Sequence, residues 1–168
     1  SELRRSTSAG EPLNPEIIVV WKKALGLEIH EGFGQTETVV VVATLPGMKV
    51  KYGAMGLPVP PYDVRLLDDR LRPVSDHEEG NIAIRVKPGH PFGIFTGYLD
   101  DEALNREVFR GEWYITGDRA YRDEDGRMHL LEAHCKHLGA HVGHGGKVVG
   151  DCIECPFHGW RWGPNGDN

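Results

Sequence analysis

The chain has 168 residues and a mass of 18.7 kDa, enough for one ordinary domain or two very small ones and too little for a multidomain enzyme with separate lobes. Hydrophobic residues make up 39% and charged residues 26%, a balance that is neither disordered nor membranous, and no apolar run approaches the ~20 residues that span a bilayer. The net charge of −6 and the pI of about 5.8 leave no basic footprint for nucleic acid or anionic lipid.

The amino end has neither an initiator Met nor a basic stretch followed by an apolar one, so the sequence reads as starting inside a longer frame or as a processed chain, and a cytoplasmic location is expected. Asn14 as N-cap, Pro15 at the first helical position and Gly26 as a stop predict a helix over 15–25. Ile17, Val20, Trp21 and Ala24 are expected to share its packing face. Beyond the helix, Glu28 to Gly34 is short and ends in glycines, and strands are expected at Thr38 to Thr44, Tyr62 to Asp68, Asn81 to Lys87, Trp113 to Thr116 and Met128 to Leu131. Turns separate them at Asp68-Asp69-Arg70 and at Asp123 to Gly126, the latter expected to be solvated.

Three motifs in this stretch place a carboxylate or hydroxyl beside glycine, where backbone can approach a ligand closely: Ser8-Ala9-Gly10-Glu11-Pro12-Leu13, Glu31-Gly32-Phe33-Gly34-Gln35-Thr36-Glu37, and Tyr114-Ile115-Thr116-Gly117-Asp118. Phe33 offers a flat face to a heteroaromatic ring, Thr36 a hydroxyl to a phosphate, Glu37 an oxygen to a hard cation such as Mg2+, and Asp118 an acceptor for two ribose hydroxyls. Singly, each motif reads as a glycine turn; their order carries the signal.

With GAMGLPVPPYDV, EEGNIAIRV and PFGIFTGYLDD between them, these motifs make residues 6 to about 127 resemble the later part of the adenylation core of an acyl-CoA synthetase, of the medium-chain type. The resemblance implies that Gly10, Glu11 and Pro12 line an adenine pocket with Phe33, that Thr36 meets the adenylate phosphate, that Glu37 holds Mg2+ and that Asp118 binds the ribose, with ATP or AMP as weakly bound cofactor. It also implies an upstream phosphate loop with a lysine and a downstream hinge and small domain, none of which is legible here. Without those cations to offset phosphate charge, no ligase activity is expected of this chain alone.

All three cysteines, five of the nine histidines and eight of the 22 glycines fall beyond residue 130. An odd cysteine number is a poor basis for disulfides, and interleaved Cys and His suggest metal in a reducing compartment. Cys135-Lys136-His137 and Cys155-Pro156-Phe157-His158 form a C-x-H and a C-x2-H pair, each able to chelate from one short loop. Two thiolates and two imidazoles suit tetrahedral zinc or a 2Fe-2S cluster; one Cys and one His per loop is the arrangement of a Rieske cluster. The returning strand is expected over Lys147 to Cys152, His134, His141 and His144 as solvated loop histidines, Cys152 packed beside Ile153, and Trp160 and Trp162 covering the cluster or core.

The stretch HCKHLGAHVGHGGKVVGDCIECPFHGWRWGPNG resembles the Rieske domain of sterol-type oxygenases such as 3-ketosteroid 9α-hydroxylase and cholesterol 7-desaturase. The resemblance implies Cys135 and Cys155 on one iron and His137 and His158 on the other, a reductase as redox partner, and a potential near ~−150 mV, the low end of the Rieske range. It further implies a larger catalytic domain that is not legible here, so substrate oxidation is not expected. The expected fold is α+β and β-rich, a partial acyl-adenylate synthetase core (one αβ unit plus a β subdomain) over 1–130 followed by a small two-loop Rieske-like iron-sulfur module over 131–168. A joining of two fragments explains the abutting patterns, and the expected function is a one-electron-transfer module, with a nucleotide-binding ligase fragment or a zinc-binding or nonfunctional fragment as alternatives.

Overall fold

The computed structural model describes residues 3–10, 13, 15–130, 135, 142 and 145–163. The amino end is a βαβ unit. Strand β1 (Ser6–Ala9) runs parallel to β2 (Ile29–Phe33) with Ser6 opposite Ile29. Parallel neighbours need a crossover, and helix α1 (Pro15–Leu25) supplies it, with the predicted bounds. Gly26 N–H closes the helix onto the Lys22 carbonyl at 2.8 Å. The buried face differs from the expectation: Ile18 is fully buried and the half-buried Trp21 donates its indole N–H to Ser6 Oγ at 3.0 Å, whereas Ile17 is 49% and Val20 65% exposed. The run IIVVW is apolar around most of the cylinder, so its pattern does not fix the helix rotation; the narrow β1–β2 pair accepts one line of side chains through Ile18 and Trp21.

Strands β3 (Val42–Ala43) and β4 (Leu57–Pro58) complete the first sheet in the order β1-β2-β3-β4. The strand expected from Thr38 is shorter because the chain first makes a tight turn: Thr38 N–H donates to the Gln35 carbonyl (3.1 Å) and Val41 N–H to that of Phe33 (2.9 Å). Val39 and Val40 are left on the surface. The second sheet contains β5 (Val64–Leu67), β6 (Gly80–Arg85), β7 (Phe109–Arg110) and β8 (Trp113–Arg122) in the order β5-β6-β8-β7, with β9 (Met128–Leu130) paired to β8. Alternating Ile82, Ile84 and Val86 are buried as the period-two pattern requires. Helix α2 (Glu102–Val108), not anticipated from the sequence, starts at Asp101, whose carboxylate caps Leu104 N–H at 2.9 Å.

Phe33, Val41 and Val42 of the first sheet share a core with Val64, Ile82, Ile84, Tyr114 and Met128 of the second. Gly56 lets the sheets meet: a Cβ there would lie 2.1 Å from the Ala43 carbonyl, its φ is +112°, and Met128 N–H bonds its carbonyl at 2.9 Å. In the turn after β8, Glu124 and Asp125 are exposed as expected, whereas Asp123 is fully buried, accepting from His129 Nε2 at 2.8 Å and Lys51 Nζ at 2.7 Å.

The third sheet is antiparallel, with β10 (Lys147–Val149), β11 (Cys152–Glu154) and β12 (Arg161–Trp162) in that order. The expected single strand over Lys147 to Cys152 is a hairpin that turns at Gly150. Cys135, Val142, Ile153 and Cys155 form a second small core under Trp162. Among the described residues, no helix is long and apolar enough to cross a membrane.

Candidate functional site

The first candidate site lies where the turn after β2 meets a bulge in β8. Between Asn81 and Ala83 of β6 the partners on β8 move from Arg119 to Ile115, so Thr116, Gly117 and Asp118 form the bulge. Gly117 adopts φ +84°, which Gly tolerates without cost, and bulges re-aim side chains in this way. Thr116 locks the bulge: its hydroxyl donates to the Ile82 carbonyl at 3.0 Å and accepts from Asp118 N–H at 3.2 Å.

Gln35 joins the two elements. Its amide donates to Asp118 Oδ2 at 2.6 Å and to the Thr116 carbonyl at 3.1 Å, and its oxygen accepts from the Tyr114 hydroxyl at 2.9 Å. Burial raises the Asp118 carboxyl, and the Gln35 hydrogen bond opposes that rise. Glu37 is held from the opposite side, its Oε1 accepting from the Tyr98 hydroxyl at 2.8 Å and its carbonyl from Phe95 N–H at 2.8 Å. Burial first, and then the negative charge of Glu37, raises the Tyr114 hydroxyl. Two hydrogen-bonded sets result, Asp118, Gln35 and Tyr114 on one side and Tyr98 with Glu37 on the other. Gln35, Tyr98 and Tyr114 were given no role from the sequence, although Gln35 lies inside the second motif and Tyr114 opens the third; side-chain pairing across more than sixty positions leaves no local signal.

Thr36 is exposed at the tip of the same turn, and Gly10 is exposed at the end of β1 with φ +103°. Glu11 and Pro12, expected in the adenine pocket, lie outside the described residues, as does the expected N-cap Asn14. Phe33 is 7% exposed and packs within the main core, so most of its ring faces protein rather than the open side assumed from its glycine neighbours. Its neighbour Glu31 is 8% exposed. One oxygen accepts from Leu13 N–H at 3.2 Å and the other is buried without a partner among the described residues, while burial raises the carboxyl. An orphaned buried oxygen beside the first and second motifs suits a ligand that brings a donor, as the exocyclic amine of adenine does.

The second candidate site surrounds Cys135 and Cys155, which are 4% and 2% exposed and share one apolar cluster. Trp162 donates its indole N–H to Cys135 Sγ at 3.1 Å. The second loop closes through Cys155 N–H to the Trp160 carbonyl (2.7 Å) and Gly159 N–H to the Cys155 carbonyl (3.0 Å). This tight turn leaves His158 at the surface beside Phe157. His137 lies outside the described residues, as do His134, His141 and His144. Trp162 covers the small core as expected, whereas Trp160 is 40% exposed. Buried thiols with an N–H aimed at a sulfur, and an imidazole at the rim, form a donor set that fits a 2Fe-2S cluster: sulfur ligands are shielded and hydrogen-bonded, and a histidine ligand faces outward. One further donor group combines half-buried His77 with exposed Glu124 and Asp151.

The first two sheets and the motif-bearing turn and bulge are those of an adenylate-forming core, and the Cys/His loops those of a small iron-sulfur module. The AMP-binding enzyme model matches residues 1–99 and the Rieske [2Fe-2S] domain model residues 100–168, and the chain belongs to the AMP-binding enzyme family. It is 48% identical over 126 residues to the mitochondrial acyl-coenzyme A synthetase ACSM3 of Mus musculus, covering 75% of this chain and 22% of that protein. The Brucella canis acyl-CoA synthetase superposes with a TM-score of 0.69 at 36% identity over 77% of this chain and 24% of its own. The benzoate CoA ligase of Burkholderia xenovorans gives a TM-score of 0.71 at 28% identity over 95% of this chain and 34% of its own. The chain thus spans about a fifth of the length of the curated relatives it matches. The Rieske domain implies a 2Fe-2S cluster and the AMP-binding domain implies ATP or AMP with Mg2+.

Proposed function

We propose that the chain is a 2Fe-2S cluster-binding, one-electron-transfer module carried on an adenylate-binding synthetase core. The observation that carries this reading is the indole N–H of Trp162 aimed at the buried Cys135 sulfur at 3.1 Å, beside the equally buried Cys155. Cys135 and Cys155 would hold one iron and His137 and His158 the other. When bound, the cluster supplies reversible one-electron chemistry at a potential set by hydrogen bonds to its sulfurs and by exposure. The protein keeps water from the thiolates through Ile153, Val142 and Trp162 and presents the His158 edge to a reductase partner. A boundary at 130/131 is supported by β8 and β9, which lie beyond residue 100 and pair into one sheet with β5 and β6.

Anaerobic reconstitution followed by iron and sulfide analysis and dithionite reduction tests this reading. Two irons and two sulfides per chain, with a visible spectrum that bleaches on reduction, are expected; zinc retained in place of iron, or folded protein that takes up neither, refutes it.

A second reading is supported by the orphaned Glu31 oxygen and the Asp118–Gln35 and Glu37–Tyr98 hydrogen bonds. In it, Gly10, Glu11, Pro12 and Phe33 border the adenine, Asp118 accepts from the ribose hydroxyls, Thr36 donates to the phosphate and Glu37 binds Mg2+. The relatives named above are acyl-CoA synthetases and a benzoate CoA ligase, so the adenylate of a carboxylic acid is the ligand class this core suits. Protection of residues 31–37 from hydrogen exchange by a non-hydrolysable acyl-adenylate is expected, and no protection at saturating ligand contradicts it.

A further inference from the structure

The nucleotide-binding reading leaves open what fixes Glu37, a half-buried carboxylate on a turn whose tip is exposed. A carboxylate that binds a hard cation needs one oxygen free and the other held, because a freely rotating side chain loses rotamer entropy on binding. Tyr98 supplies the holding group. Its hydroxyl bonds Oε1 at 2.8 Å, and the backbone of the same segment secures the Glu37 carbonyl through Phe95 N–H at 2.8 Å.

Tyr98 is itself fixed by α2. Asn105 brackets its backbone, Oδ1 accepting from Tyr98 N–H at 2.7 Å and Nδ2 donating to the Tyr98 carbonyl at 2.8 Å. The preceding Gly97, at φ +143°, admits this approach, since a Cβ there would lie 2.9 Å from Asn105 Oδ1. The Tyr98 ring meets Phe95 edge-on, with centroids 4.9 Å apart.

We infer that Tyr98, anchored by Asn105, is the positioning residue that presents Glu37 to the divalent cation accompanying a bound nucleotide. The inference rests on the nucleotide-binding reading. A phenol hydrogen bond to one oxygen aims the carboxylate and leaves the second oxygen for the metal.

The test is ATP binding by isothermal titration with and without millimolar Mg2+, on the whole chain. Wild type is expected to bind ATP more tightly with Mg2+. Tyr98→Phe is expected to lose about fivefold to tenfold of that Mg2+-dependent gain while its Mg2+-free affinity is unchanged. Asn105→Ala, which keeps the hydroxyl but frees its backbone, is expected to shift the gain in the same direction by less, and it serves in place of Tyr98→Phe should that variant lose its far-ultraviolet circular dichroism. A full Mg2+ gain in the folded variants, or an equal loss with and without Mg2+, overturns the inference and leaves nucleotide binding standing. Wild type that binds no ATP under either condition overturns the nucleotide reading and this inference with it.

Discussion

Replacing Asp123 with Asn removes a charge from one of the most enclosed polar sites in the molecule. The Asp123 side chain is 1% exposed and accepts from His129 Nε2 at 2.8 Å, Lys51 Nζ at 2.7 Å and the backbone N–H groups of Asp125 and Arg127 at 3.0 and 2.9 Å. His129 is 2% exposed, its other nitrogen meets the Gly53 carbonyl at 3.0 Å, and Tyr121 stacks on its ring at 4.7 Å. Burial alone would raise the Asp123 carboxyl; the His129, Lys51 and backbone hydrogen bonds outweigh it and draw it from 3.8 to about 2. A lowering of that size corresponds to about 2 kcal/mol of stability. Because the folded value lies below the unfolded one, this stability is complete above about pH 5 and is lost as the pH falls toward 2. Asp123→Asn is therefore expected to lower the unfolding free energy at pH 7 by about 2–4 kcal/mol, since it removes one partner of a buried pair. It should also flatten the acid limb of the stability curve. Urea unfolding followed by tryptophan fluorescence at a series of pH values measures both. A variant within about 0.5 kcal/mol of wild type at pH 7, with an unchanged acid limb, refutes the reasoning.

Further outcomes follow from single contacts. Gly56→Ala places a Cβ within 2.1 Å of the Ala43 carbonyl at a backbone conformation alien to alanine, so soluble yield and thermal midpoint should fall sharply; an unchanged midpoint would contradict the close approach of the two sheets. Trp162→Phe keeps an aromatic, though smaller, ring and removes the N–H aimed at Cys135 Sγ, so the potential of the reconstituted protein should drop by about 40 mV, the one-electron equivalent of about 1 kcal/mol, and protein-film voltammetry reads it directly. Gln35→Ala unlinks Asp118 from Tyr114, and ATP affinity should fall about fivefold in both the presence and the absence of Mg2+, in contrast to the Mg2+-selective loss expected at Tyr98.

The sequence carried local structure well wherever a signal was local. Gly26 ended α1 where predicted, the alternation of Ile82, Ile84 and Val86 marked β6, and the Gly117 bulge lay within a motif already singled out. Rotation about the α1 axis was not legible, because its apolar residues surround the helix and only the partner strands select Ile18. Helix α2 has no buried residue and hence no apolar stripe to announce it; its Asp101 cap was the single cue. The acidic turn at Asp123 looked solvated because its neighbours are charged, and the burial of Asp123 arises from Lys51, in a loop distant in sequence, and His129 of β9 closing over it. For the same reason the site's donors and acceptors were readable as motifs, while Gln35 and Tyr98, which hold them, and the bond from Trp162 to the Cys135 sulfur emerge only from contacts across the fold.

The central claim is that Cys135 and Cys155 with His137 and His158 ligate a 2Fe-2S cluster of Rieske type. Electron paramagnetic resonance of the dithionite-reduced chain labelled with nitrogen-15 histidine tests it most directly. The account predicts a rhombic reduced-cluster signal with hyperfine coupling to two histidine nitrogens, reduced to one coupling or lost in His158→Ala and absent in Cys155→Ser. A reduced signal without histidine coupling, or one that survives Cys155→Ser unchanged, would contradict it.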